Sequence, residues 1–430
     1  MLKKSFFGLV IPQFEYERLP AVLPEADKVA ATKSITLFHP RNSDQNQPAS
    51  IKVGDKVKAG QKIALFADDP AYVIVSAGGT VSAVSPHMGD FGKTYTAITI
   101  NIDGKETLDD QFQTHAQSPT LENAMDFLAF APGSPPLQTL ADSENPINTI
   151  VITGVDSDLL VGTRQYITSI GLNEIKAGIG ILKKITGIDR IVLVTGRDTI
   201  QGFGHIGADV KSIDTTYPAA LPPLIMKNVL RVVLPAGRTC EEMGVCFMSA
   251  EAVASIGRAY GDGRLPVRKI LTLIAKDGTQ RLLETTIGTP IKDILNSYGV
   301  TINEQDRIVF GGPMTGSAVY SLDQPVMPDT DAILVLDRAA AAHTSDYPCI
   351  NCGDCVRTCP AQITVNMLVR FLEAGQYEEA ADNYDLYSCI DCGLCTYVCV
   401  SKIPIFQYIK LAKYELNRAN NVEEPEESDV

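Results

Sequence analysis

Apolar and polar residues alternate along two stretches in the first quarter of the chain. Residues 51–66 alternate around Gly54-Asp55 and Gly60-Gln61, and residues 73–84 do so around Gly78-Gly79. Period-two alternation punctuated by glycine turns predicts short, half-buried strands. Residues 105–145 are polar and proline-rich, with helical spacing at 121–130. They read as a connector. From residue 147 the period switches back and forth. Strand runs at 148–153, 190–195 and 229–234 alternate with helical spacing at 173–186, where Ile175, Ile179, Leu182 and Ile185 share one face, and at 250–260. That alternation predicts a parallel α/β layer. Strand runs return at 269–275 and 332–336. A helix opens at Pro290 and runs to Tyr298 between them, which predicts a compact α+β module. Helical spacing at 365–374 and 405–417 ends the pattern.

The first β-rich stretch is similar to the barrel-sandwich module of biotinyl and lipoyl domains. Where those domains present a modifiable lysine, this chain has Ala77-Gly78-Gly79. The module is therefore expected to be structural and not a cofactor carrier.

Composition narrows the function. The 430 residues carry a formal net charge of −14, which repels nucleic-acid phosphates and argues against DNA or RNA as a partner. No stretch approaches the roughly 18 consecutive apolar residues of a membrane span, so a soluble or peripheral protein is expected. Residues 1–11 hold two lysines and a short apolar run that Pro12 stops, with no small-residue cleavage site after it. An ordinary buried segment is expected there, not a signal peptide. Five of the last eight residues are acidic, which reads as a solvated tail.

Eight of the ten cysteines lie between residues 349 and 399. Cys349, Cys352, Cys355 and Cys359 form C-x2-C-x2-C-x3-C, followed by Pro360. Cys389, Cys392, Cys395 and Cys399 repeat the spacing. This is the spacing of two-cluster ferredoxins, in which the fourth cysteine of each motif serves the other cluster. One 4Fe–4S cluster is thus assigned to Cys349, Cys352, Cys355 and Cys399, and the other to Cys389, Cys392, Cys395 and Cys359. Small Gly353 and Gly393 let backbone amides approach the sulfides. Zinc is the alternative, but it needs only four ligands and is usually marked by pairs of C-x2-C, not quartets. The pattern needs free thiolates, so it fits a reducing compartment. Val400, not proline, follows Cys399, and the proline comes later as Pro404. Cys240 and Cys246 fit no cluster spacing and read as buried free thiols. His39, His87, His115, His205 and His343 are scattered and form no metal-ligand pair. No acid, base or nucleophile is singled out as catalytic.

The order of these modules resembles the RnfC family, one of the subunits of Rnf-type ion-translocating electron-transport complexes. The resemblance is carried by Phe310-Gly311-Gly312-Pro313-Met314-Thr315-Gly316, by Ser321-Leu322-Asp323-Gln324-Pro325-Val326, by Ile287-Gly288-Thr289-Pro290-Ile291, and by the cluster region through Ser401-Lys402-Ile403-Pro404 to Lys413. It implies a multidomain α/β protein: a barrel-sandwich module (1–104), a Rossmann-like α/β domain that is a degenerate flavin domain (105–262), a ubiquitin-like α+β module (263–340), a helical two-cluster ferredoxin-type domain (341–418) and an acidic tail (419–430). It also implies a peripheral subunit on the cytoplasmic face of the cell membrane, working within an oxidoreductase complex with other Rnf-type subunits and with ferredoxin.

Many members of that family bind FMN and react with NADH. Their glycine-rich flavin loop corresponds here to Phe130-Ala131-Pro132-Gly133-Ser134-Pro135-Pro136, in which proline supplies no N–H. Their N-G-A-E-x-E-P element becomes Thr153-Gly154-Val155-Asp156-Ser157-Asp158-Leu159, and their Y-P-x-G-x-E-K segment becomes Tyr217-Pro218-Ala219-Ala220-Leu221-Pro222-Pro223. FMN is therefore not expected, and Asp156 and Asp158 read as surface or cap carboxylates. The leading expectation is an iron–sulfur relay between ferredoxin and membrane subunits, with Arg357, Lys402, Lys410, Lys413 and Arg418 as a basic docking patch. The alternatives are an FMN-containing subunit that couples NADH to ferredoxin, and a cluster-bearing scaffold of another redox complex.

Overall fold

The computed structural model describes residues 14, 24–40, 49–66, 71–89, 93–104, 107–197, 205–341 and 343–422. The N-terminal segment 1–11 and the acidic run from Glu423 lie outside them. The chain forms two units: Leu19–Pro222 with Cys240–Ala339, and Met1–Arg18 with Pro223–Thr239 and Ala340–Val430.

The larger unit begins with β1 (Asp27–Lys28) and the barrel-sandwich strands: β2 (Ser34–Pro40), β3 (Lys56–Val57), β4 (Lys62–Ile63), β5 (Val73–Ile74), β6 (Gly79–Met88) and β7 (Thr94–Ile102). A four-stranded sheet runs β2-β7-β6-β3, and β4 pairs with β5. Alternation along β2, β6 and β7 sends Ile35, Leu37, Val81, Ile98 and Ile100 into one core cluster. Gly78-Gly79 is not itself the turn. The bend falls at Ser76-Ala77 and Gly79 already starts β6, where a Cβ would stand 2.0 Å from the Asn101 carbonyl oxygen on β7. Glycine is needed there for strand approach.

Helices α1 (Gln111–Ala116), α2 (Leu121–Leu128) and α3 (Leu137–Ala141) make the connector. Thr120 caps α2 by accepting from the Asn123 N–H. The α/β layer follows: β8 (Thr149–Thr153), α4 (Thr163–Ile170), α5 (Leu172–Thr186), β9 (Ile191–Gly196), β10 (Asp209–Ile213), β11 (Val245–Ser249) and α7 (Ala250–Asp262), while α6 (Pro222–Ile225), between β10 and β11 in the chain, belongs beyond Pro222 to the smaller unit. Its strands are all parallel, in the order β10-β9-β8-β11. Every residue of β8 and β9 is buried, which explains their unbroken apolar character. Two glycines let α5 and α7 touch backbone to backbone. A Cβ on Gly178 would lie 2.0 Å from the Val253 carbonyl oxygen, and one on Gly257 2.0 Å from that of Glu174.

The strand expected at 229–234 does not form. Met226–Leu230 is a wide helical turn, closed by Arg231 in the left-handed region with φ 60. The segment belongs to the smaller unit, so it has no sheet edge to join, and β propensity without a partner strand makes no strand.

The remaining sheet holds β12 (Arg268–Ile274), β13 (Gln280–Thr286), β14 (Arg307–Phe310), β15 (Ser317–Val319) and β16 (Ala332–Leu336), with α8 (Ile291–Ser297) after β13. The strand order is β1-β13-β12-β16-β14-β15. Ile291, Ile294 and Leu295 of α8 pack against Leu271, Leu283, Ile333 and Val335. Lys269 of β12 has a fully buried side chain that pairs with Glu251 of α7 and, at 3.3 Å, with Asp331. Asp331 also holds Arg164 of α4 at 2.9 Å. These four charges tie the α/β layer to the second sheet.

In the smaller unit, α9 (Asp354–Thr358), α10 (Val365–Glu373), α11 (Tyr377–Asn383), α12 (Leu394–Val398) and α13 (Ile405–Val422) surround a core of Leu368, Val369, Leu372, Ile403, Ile405 and Ile409. No helix among the described residues is long and apolar enough to cross a membrane.

Candidate iron–sulfur site

The two cysteine motifs fold as an internal repeat offset by 40 residues. In each, a loop bends through the left-handed region at matching places: Asn351 and Asp391 with φ 57 and 55, Gly353 and Gly393 with φ 75 and 69, Gln362 and Lys402 with φ 60 and 58. Glycine, asparagine and aspartate tolerate that region better than other residues, which is why they stand between the cysteines. A one-turn helix, α9 or α12, then carries the third cysteine of each motif, and the fourth follows it as the C-cap. α10 and α13 occupy equivalent places after each repeat.

Side chains lock these loops. The Asn366 amide donates to the Asn351 side-chain oxygen at 2.7 Å. Lys413 of α13 donates to the Cys389 carbonyl at 2.9 Å and pairs with Asp391 at 3.0 Å. The Phe406 N–H donates to the Thr396 hydroxyl at 2.7 Å. None of these supporting contacts was legible in the sequence, because each joins a helix residue to a residue 10–24 positions away in another element or loop.

Cys355 and Cys395 belong to the core of this unit, and Cys349, Cys359, Cys389 and Cys399 pack against it. Cys355, Cys392 and Cys395 are buried, Cys349, Cys359, Cys389 and Cys399 half-buried, and Cys352 exposed. Burial pushes Cys355 and Cys389 up to about 12 and Cys392 up to about 11. Mutual repulsion adds to this. Cys349 and Cys352 act on Cys355, Cys389 and Cys392 act on Cys395, and Cys359 acts on Cys392 across the repeat. Thiols packed this way ionise only against concentrated positive charge, which iron supplies. The donor set therefore fits 4Fe–4S clusters, whose ligands are cysteine thiolates. Among the described residues, no three cysteine, histidine or acidic side chains are gathered as a single metal ion would need.

The basic patch is largely neutralised. Arg357 pairs with Asp354, Lys413 with Asp391 and Arg418 with Glu415. Lys410 lies over the Phe406 ring at 5.0 Å. A cleft of about 770 Å³ runs beside the second motif, lined among others by Lys227, Pro360, Cys389, Ile390 and Lys413.

In the larger unit, the residues that correspond to a flavin loop do not fit a flavin phosphate. Pro132, Pro135 and Pro136 have no N–H. Ala131, Gly133, Ser134 and Leu137 donate theirs to the carbonyls of Leu128, Pro328, Ala131 and Pro135. The two helix N-termini beside the parallel strands are also occupied. Asp156 accepts from the Arg164 and Gln165 N–H groups at the start of α4, at 2.9 and 3.1 Å. Ser249 caps α7 by accepting from Ala252 at 3.1 Å. Asp158 binds the Met314 and Thr315 N–H groups at 3.1 and 2.7 Å. Both aspartates are thus caps and anchors, more buried than a surface reading allows. Burial pushes the Asp156 carboxyl up to about 6, against the pull of the Arg164 N–H and guanidinium. Cys240 and Cys246 are buried.

Comparison with known proteins agrees with this layout. The family model of the RnfC barrel sandwich hybrid domain matches residues 25–105, and that of the 4Fe-4S dicluster domain matches residues 348–403. The chain is 27% identical over 395 residues to the C-subunit of the ion-translocating oxidoreductase complex of Edwardsiella ictaluri, covering 85% of this chain and 48% of that protein. It is 23% identical over 356 residues to the C-subunit of the Na(+)-translocating ferredoxin:NAD(+) oxidoreductase complex of Acetobacterium woodii, covering 77% and 80%. Against the proton-translocating counterpart of Clostridium ljungdahlii it is 27% identical over 445 residues, covering 97% and 94%. The chain spans about half the length of several of the curated relatives it matches. A solved NAD+-reducing NiFe-hydrogenase chain aligns with a TM-score of 0.43 at 12% identity, covering 74% and 69%, a likeness too loose to carry an argument.

Proposed function

Starting from a chain related over most of its length to the RnfC proteins of ion-translocating oxidoreductases, we propose that it is the iron–sulfur relay of such a complex. Cys349, Cys352, Cys355 and Cys399 hold one 4Fe–4S cluster. Cys389, Cys392, Cys395 and Cys359 hold the other. The observation that carries this reading is the internal repeat of two four-cysteine loops around one core. The cross-assignment rests on the two-cluster ferredoxin spacing; Cys359 lies near Cys392 and Cys355 near Cys395, so the two repeats face each other. When bound, the clusters accept and release single electrons. The chain's part is to hold them: Lys413 and Asn366 fix the loops, and the surrounding helices bury Cys355, Cys392 and Cys395. Ferredoxin and the membrane subunits are the proposed donor and acceptor, and the site of action is the cytoplasmic face of the membrane, held there by partner subunits.

The flavin-coupled reading is opposed by the occupied amides of residues 131–137 and by Asp156 standing at the start of α4. In this proposal the chain carries no FMN, and NADH is not its direct reductant. The scaffold reading differs only in whether the clusters cycle.

The test is cofactor content per chain on anaerobically purified protein. About eight iron and eight sulfide with no flavin are expected, together with dithionite-reducible paramagnetic signals from both clusters. Stoichiometric flavin would overturn the flavin-free part, and clusters that resist reduction would favour a scaffold. Docking of ferredoxin by charge is best probed at Lys410, because Lys413 already holds the second cluster loop.

A further inference from the structure

The two halves of the cysteine repeat are equivalent in backbone but not in exposure. Cys352 is exposed where its counterpart Cys392 is buried. Ile350 is 66% exposed, whereas Ile390 at the matching position is half-buried. Val400 stands where the first half has Pro360, and is 45% exposed. Tyr347, two residues before the first thiol, is 73% exposed. The strands of chain that carry these residues run side by side: the Ser345 N–H donates to the Lys402 carbonyl at 2.9 Å, and the Ser401 hydroxyl to the Pro348 carbonyl at 3.5 Å. Three large apolar side chains are therefore left in water around the most accessible cysteine of the protein's eight-thiol site.

From this asymmetry we infer that Tyr347, Ile350 and Val400 form the docking face for another protein subunit of the same complex, which meets the chain at its outer cluster through an apolar contact. The inference rests on the relay reading above. The charge balance selects the occupant. Across residues 345–352 and 399–402 the only charged side chains are Asp346 and Lys402, one of each sign. The nearby Arg357 is spent on Asp354. An acidic carrier that docks and leaves relies on opposite charge for its encounter, and this face offers no net positive charge. Durable contacts between subunits have an apolar centre depleted of charge, with aromatic residues enriched. Tyr347, Ile350 and Val400 have that composition. The departure at Val400 gains a meaning here: a valine side chain extends the apolar face next to Cys399.

The test uses the full chain in its native membrane complex. A photo-crosslinking amino acid is placed at Tyr347, and separately Ile350→Glu is made. The expected result is a crosslink from position 347 to another subunit, and at least about a tenfold loss of co-purification for Ile350→Glu, equivalent to about 1.4 kcal/mol. The wild-type association is expected to survive about 0.5 M salt. Iron and sulfide per chain are measured on the same samples. If they are absent from wild type, the relay reading fails. If they are normal in the variant while association falls, the docking face stands. Crosslinks only to the chain's own residues 1–13, crosslinks only to a soluble acidic carrier, or unchanged co-purification by a variant that keeps its clusters would each overturn the inference.

Discussion

Asp156 and Asp158 stand two residues apart and do different work. Asp158 clamps the loop at Met314-Thr315, while Asp156 sits at the N-terminus of α4, where the helix dipole and two N–H groups favour an anion. Burial outweighs that attraction and raises the Asp156 carboxyl to about 6. A carboxyl whose folded pKa lies above its unfolded value binds its proton more tightly in the native state. Its contribution to stability is then greatest below about pH 4 and falls as pH rises through about 6. Comparing wild type with Asp156→Asn isolates this group from other carboxylates. The difference in melting temperature should shift toward wild type on acidification from pH 7 to about 4.5. A difference that stays flat, or moves toward the variant, would mean that the anion is the favoured native form. Both aspartates occur in the short run Thr153–Leu159. Their identity as caps follows from which N–H groups they reach, and that is a property of the folded loop.

At the scale of elements, two close approaches decide the architecture. α5 and α7 meet at Gly178 and Gly257, with no room for a Cβ on either. Gly257→Ala adds one methyl group against the Glu174 carbonyl, and overpacking of this kind costs about 3 kcal/mol. Urea unfolding should show a lowered midpoint with unchanged cluster content, since the helices belong to the larger unit. The second approach is the crossing of the cysteine repeats. If each fourth cysteine serves the other motif's cluster, Cys359→Ser should alter the same paramagnetic signal as Cys389→Ser, and Cys399→Ser the same one as Cys349→Ser. Pairing of Cys359 with Cys349 instead would refute the crossed assignment. Periodicity located the longer helices α2, α5, α7, α8, α10 and α13 and the strands β8, β9, β12 and β16, but not α4, β10, β13 or the one- and two-turn helices α1, α3, α6, α9, α11 and α12, which are too short to show a period. It failed at 229–234 because an apolar, β-branched run is a strand only beside another strand, and this run lies in the unit that has no sheet among its described residues.

At the scale of the molecule, the buried charges of Lys269, Glu251, Asp331 and Arg164 join three elements of the α/β layer and the second sheet. Breaking such a network from one side strands charge in a dry interior. Lys269→Met should therefore cost about 3–5 kcal/mol, read as a fall in the thermal midpoint of the larger unit. Adding Glu251→Leu should recover part of that loss, because it removes the anion left without its cation, whereas Asp331 keeps Arg164. A single variant as stable as wild type would show that the network contributes nothing. Lys269 lies in a strand run of apolar residues, and nothing in its neighbours announces that its ammonium is fully buried. Its partners are 18 and 62 residues away.

The sequence alone marked the iron–sulfur region at the end of the chain and the barrel-sandwich region near its start. The eight cysteines at metal-ligand spacing, the alternation of the barrel-sandwich strands and the strand–helix rhythm of the middle region are local patterns, and local geometry fixes their meaning. Tertiary structure decided what required distant residues to meet. It set Asp156 at the start of α4 and Asp158 against the Met314-Thr315 loop, withdrew most of the basic patch into ion pairs, and used up the amides of residues 131–137. It also left one half of the cysteine repeat more exposed than the other. Exposure, pairing and desolvation depend on what packs against a residue, and no window along the chain contains that neighbour.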